Sequence, residues 1–99
     1  MRIPSSFILH GEKITVEQDD ALIHRNDSTG EARYRDSKIV LQATSKAHKA
    51  TKARTEQIFL HELVHFILHH MGENDLCNNE KFVDLFARLL HQFNTTQDK

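Results

Sequence analysis

The sequence predicts an α+β domain: a small antiparallel or mixed β-sheet of about four short strands, packed on two helices. Three observations carry this expectation. Up to about residue 43, apolar residues come in short runs that alternate with polar neighbours and are broken by turn residues. Beyond that point the apolar spacing becomes helical. From Lys52 to Met71 there is no Gly or Pro, and Gly72 stands where a helix C-cap glycine would.

In chain order, residues 7–10 read as a short strand and Gly11-Glu12 as a turn. Ile14 and Val16 alternate with polar neighbours as a second strand. Residues 19–29 are polar apart from Ala21, Leu22 and Ile23, which suits a loop or a single helical turn. Gly30 opens a third strand, with Ala32 and Tyr34 on one side and Glu31, Arg33 and Arg35 on the other. Asp36-Ser37 is a tight-turn candidate, and Ile39 and Leu41 share a face of a fourth strand over residues 38–42. The sheet thus occupies about residues 6–42 as two hairpins. Ile58, Phe59, Leu60, Leu63, Val64, Phe66, Ile67 and Leu68 surround the helix of residues 52–71, and a helix apolar all round is buried. Residues 73–77 form a loop. Asn78 or Asn79 can cap a second helix over residues 78–93, whose apolar stripe is Phe82, Leu85, Phe86, Leu89 and Phe93. The tail, 94–99, frays. All 99 residues fit one domain.

Composition excludes several classes. One Cys cannot form an internal disulfide, so a disulfide scaffold is ruled out and a reducing, cytoplasmic setting is the simpler expectation. No apolar run approaches the ~20 residues of a bilayer span, and the run after Met1-Arg2 is too short for a signal peptide. Thirteen basic against 14 acidic residues disfavours a dedicated nucleic-acid binder. The stretch Lys46, Lys49, Lys52 and Arg54 is basic, as solvated loops and helix starts commonly are. Eight His is a large excess for this length. A small domain often needs a staple, and His is the commonest metal ligand.

Within the buried helix lies His61-Glu62-Leu63-Val64-His65. Residues i and i+4 of a helix share a face, so two imidazoles can converge on one ion, with Glu62 beside it and free to take a proton from water. Buried imidazoles and carboxylates are costly unless paired or metal-bound, which favours a zinc ion over chance packing. A catalytic zinc takes three protein ligands and leaves one position open. His69 is one more turn along, rotated about 40° from His65, and cannot reach the same ion; Leu68 and Met71 replace the Gly and His of the metzincin pattern. The third ligand must come from another element. Glu80 on the second helix is the leading candidate, with Cys77, Glu73 and Asp75 as competitors. Asp84, at i+4 from Glu80, can accept from the second nitrogen of a ligand His, and Ala87 on the same face lets the helices approach.

His61-Glu62-x-x-His65 followed by Asn79-Glu80-x-x-x-Asp84 resembles the gluzincin signature of thermolysin-like metallopeptidases. The closer resemblance is to small ImmA/IrrE-type and minigluzincin domains, a group common in phages and mobile elements. It covers roughly residues 30–93, and His69 matches a recurring position in that group. The resemblance implies Zn2+ on His61, His65 and Glu80, Glu62 as general base, and Asp84 supporting a ligand His. It also implies peptide hydrolysis, with a regulatory protein as the expected substrate. The peptide would lie along a sheet edge, for which residues 30–35 are the candidate. Thermolysin-like enzymes also carry a C-terminal subdomain that supplies an oxyanion-stabilising His, and nothing after Phe93 corresponds to it. Tyr34, His48 and Arg54 are the candidates for that task here. The alternative is a zinc-stapled, non-catalytic interaction domain of the same fold. His10, His24, His70 and His91 have no convergent partners in the sequence and read as surface or core-edge residues.

Overall fold

A computed structural model describes residues 1–26, 28–45 and 48–98, with the side chain of Asn26 excepted. It shows an α+β arrangement: a mixed four-stranded sheet, a long helix on one face of it, and a second long helix against the first. Lys46, of the basic stretch, lies outside the described residues.

The strands are β1 (Ser6–Leu9), β2 (Glu12–Asp19), β3 (Gly30–Arg33) and β4 (Lys38–Gln42), in the order β1-β2-β4-β3. β1 and β2 form an antiparallel hairpin with Leu9 opposite Glu12. The turn is therefore His10-Gly11, one residue earlier than expected. Both residues have positive φ, 54° and 80°, the type I′ geometry whose twist matches that of the strands. β3 and β4 form the second hairpin, closed by residues 34–37. β2 pairs with β4 in parallel, which makes the sheet mixed. The crossover between them includes α1 (Leu22–Asn26), packed near β4. Gln42 pins it: its Oε1 accepts from the Ile23 amide at 2.7 Å and its Nε2 donates to the Asp20 carbonyl at 2.8 Å.

α2 (Lys52–Met71) has the expected bounds. The Thr51 hydroxyl accepts from the Arg54 amide at its start, and Gly72, at φ 73°, ends it in the left-handed conformation that costs glycine least. Ile58, Phe59, Leu60, Val64, Phe66 and Leu68 are buried on it and join Ile14, Ile39 and Leu41 of the sheet in one core. Ile39 and Leu41 share a face, as predicted, while α3 (Asn74–Cys77) is a short helix where a loop was expected.

α4 (Glu80–Thr95) is capped by Asn79, whose Oδ1 accepts from the Phe82 amide at 3.1 Å, and it runs two residues beyond the expected end. Ala87 lies on the inward face as expected, but the expected apolar stripe does not. Val83, Ala87 and His91 are buried, at i, i+4 and i+8, whereas Leu85, Phe86, Leu89 and Phe93 are exposed. α4 lies chiefly against α2, and the small side chains of Val83 and Ala87 bring the two backbones close enough for Glu80 and Asp84 to reach across. His91 is likewise no surface residue: its Nε2 is 2.8 Å from Oε1 of buried Glu56 on α2. That bond holds the Glu56 carboxyl below its ordinary pKa.

Among the described residues, no helix is long and apolar enough to cross a membrane.

Candidate metal centre

Two turns of α2 and the first turns of α4 build the site. His61 and His65, one turn apart on α2, are half-buried, with ring centroids 5.0 Å apart. Glu80 is the first residue of α4, where the helix dipole favours an acid. Its two oxygens divide between the imidazoles: Oε2 is 3.0 Å from His61 Nε2 and Oε1 is 3.2 Å from His65 Nε2. One ligand atom from each of the three lies within 4.8 Å of the others.

This set fits a metal ion. Ligand atoms about 2.05 Å from a tetrahedral zinc stand about 3.3 Å apart, and here one donor atom from each of the three residues lies within 4.8 Å of the others. The donor set, two imidazoles and a carboxylate, is one that zinc takes when a coordination position stays open. Burial lowers the pKa of His65, against the pull of Glu80, and so favours the neutral imidazole that binds metal.

The far nitrogen of each His is also engaged. His61 Nδ1 is 3.5 Å from Asp84 Oδ1, whose other oxygen accepts from Arg88 Nε at 2.8 Å. His65 Nδ1 is 3.5 Å from the Cys77 sulfur. Cys77, weighed above as a ligand, thus stands behind His65, and Glu73 and Asp75 are not in the convergent group. Cys77 is buried at the end of α3.

Glu62, next to His61 in α2, is buried. Burial foremost, with the charges of Glu80 and Glu31 adding to it, pushes its carboxyl up to about 7. It lines an open cleft of about 340 Å³ together with His61, His65, Glu80 and Asp84. The far wall is Ser28, Thr29 and Gly30, with Arg54 and Ile58 completing the lining. Gly30 is there because nothing larger fits: a Cβ would stand 2.6 Å from Ile58 Cγ2 and 3.0 Å from Glu62 Oε2. Gly30 opens β3, which is an edge strand of the sheet, and Gly30 is the β3 residue that lines the cleft.

Of the three oxyanion candidates, only Arg54 lines the cleft. Tyr34 is packed elsewhere, its ring stacked on His69 at 4.1 Å and edge-on to Phe66, its hydroxyl 3.4 Å from the Cys77 sulfur. Burial and that sulfur raise the Tyr34 pKa, so the phenol keeps its proton. His48 is engaged with Ser45 through its backbone. His70 pairs with Glu12 at 2.8 Å and lies beside His10, while His24 is exposed. Sequence reasoning missed Ser28 and Thr29. Their one signal was position, directly before the glycine that opens the edge strand.

No family model matches the chain, and no curated protein or solved structure matches it.

Proposed function

We propose that this chain is a zinc-dependent peptide hydrolase of the gluzincin kind, close to the small ImmA/IrrE-type domains. The observation that carries the reading is the convergence of His61, His65 and Glu80, from two helices, beside a buried Glu62 that lines an open cleft. His61, His65 and Glu80 hold the ion, and Asp84 orients His61 through Nδ1. Zinc held there supplies Lewis acidity toward water and toward the scissile carbonyl. Glu62 accepts a proton from the attacking water as its oxygen bonds to the carbonyl carbon. It then delivers that proton to the amine nitrogen as the C–N bond breaks. A base works best with a pKa near the operating pH, and Glu62 sits at about 7. β3 is an edge strand whose first residue, Gly30, lines the cleft, and in this reading an extended peptide adds to that edge as a further strand.

The test is metal analysis combined with cleavage-site profiling on a peptide library, for the wild type and Glu62→Gln. One zinc per chain is expected in both, with cleavage reduced about 10²–10⁴-fold in the variant. Cleavage unchanged in Glu62→Gln would overturn the role of the base. Zinc bound by the wild type without cleavage of any peptide would leave a zinc-stapled interaction domain, recognised by metal-dependent thermal stability. Glu80→Ala is expected to lose zinc affinity by on the order of 10²–10³-fold, as for one ligand's share of a structural site.

A further inference from the structure

A metal-ligating imidazole binds through one nitrogen and is held by what its other nitrogen meets. The ligands here are held differently. Asp84 faces Nδ1 of His61, while Nδ1 of His65 faces the sulfur of Cys77. We infer that Cys77 is the positioning residue of His65, its sulfur accepting a hydrogen bond from Nδ1–H so that the proton stays on Nδ1 and the unprotonated Nε2 is turned toward the ion. This rests on the metal reading proposed above.

The geometry around the sulfur is complete. It lies 3.5 Å from the His65 carbonyl oxygen, 3.5 Å from His65 Nδ1 and 3.4 Å from the Tyr34 hydroxyl. A thiol has one proton and weak acceptor capacity. Donated to the His65 carbonyl, that proton leaves the sulfur lone pairs to the Nδ1–H and to the Tyr34 O–H. Cys77 thereby binds both the ring and the backbone of one residue, fixing the imidazole against the helix that bears it. Tyr34 is itself fixed between His69 and Phe66. Cys77 is held by α3, where its amide donates to the Glu73 carbonyl at 2.9 Å.

A neutral partner at this place has an electrostatic reason. The Glu80 carboxylate already stands against His65, and buried Glu62 lines the same cleft. Another carboxylate behind His65 would add like charge in a poorly solvated site. A neutral thiol accepts the Nδ1–H hydrogen bond without adding charge.

The test measures zinc affinity by competition with a chelator of known strength, for the wild type, Cys77→Ala and Cys77→Ser, with circular dichroism of each zinc-free protein as the folding control. Cys77→Ala is expected to weaken zinc binding about 10–100-fold, and Cys77→Ser, which can still accept, to recover most of the loss. In nitrogen-15 spectra of the zinc-loaded wild type, the His65 Nδ1 proton is expected to be protected from exchange with water. In Cys77→Ala that protection is lost, while the His61 Nδ1 proton, facing Asp84, is unchanged. Equal affinity in the wild type and Cys77→Ala would overturn the proposal, as would Cys77→Ser binding as weakly as Cys77→Ala. If the variants fail to fold, free exchange of the His65 Nδ1 proton in the wild type overturns it. A wild type that binds no zinc would instead overturn the metal centre itself, and this inference with it.

Discussion

The two long helices contribute to one site on opposite terms. α2 is enclosed: the sheet covers one side and α4 another, and six of its apolar side chains are in the core. α4 is supported mainly from one side and leaves Leu85, Phe86, Leu89 and Phe93 in solvent. The candidate ligands follow suit. His61 and His65 are 19% and 12% exposed, while Glu80 is 69% exposed. The difference teaches where rigidity comes from. α2 presents two imidazoles from a packed frame, and α4 brings the carboxylate by close approach, through a seam of Val83 and Ala87 in place of large side chains.

The contrast can be broken or sharpened by mutation. The largest expected effect is on the α2 side. Phe66, 1% exposed, lies in the core, and Phe66→Ala is expected to cost about 3–5 kcal/mol of stability, read from denaturant melts. Next comes a pH effect from Glu62. Its carboxyl binds its proton up to about pH 7 in the fold, against 4.5 ordinarily. Between those values the folded chain therefore holds more protons than the unfolded one, and stability falls as pH rises through that window. The fall is roughly 3 kcal/mol at most. Zinc-free melts at pH 5 and pH 8 are expected to show it in the wild type relative to Glu62→Gln, and an equal pH response in both would contradict it. Ala87→Leu, at the seam, is expected to cost about 1–3 kcal/mol and to weaken zinc binding by moving Glu80 away from the imidazoles. The smallest effect belongs to the outer face of α4, where Leu89→Ser is expected to change stability by no more than about 0.5 kcal/mol.

What the sequence disclosed were the local features. The i, i+4 faces of His61 and His65, and of Glu80 and Asp84, follow from helix geometry, and the Asn79 and Gly72 caps are set by immediate neighbours. The two hairpins were legible from alternation. Their parallel joining was not, since β2 and β4 meet across a crossover. The sequence sets the face of Glu80, Asp84 and Ala87 against α2 but places the apolar stripe at Leu85, Phe86, Leu89 and Phe93, which are exposed, because hydrophobic pattern ranks Phe and Leu above Val, Ala and His. Packing against α2 selects the small side chains, and His91 is buried by its bond to Glu56, 35 residues away. Cys77 behind His65 and Gly30 against Glu62 are likewise contacts that only the assembled chain creates.

The close approach at Gly30 has a consequence for how the molecule can vary. The candidate donor atoms, and the groups that face their other nitrogens, all fall within residues 61–84, on the helical side. The facing wall of the cleft comes from residues 28–30, at the sheet edge. Two stretches that share no residue therefore carry separate features, one the candidate metal ligands and the other part of the cleft lining beside them. Substitutions at Ser28 or Thr29 alter the second while leaving the first in place. Gly30 is exempt from that freedom, because the room it leaves is the room Glu62 occupies.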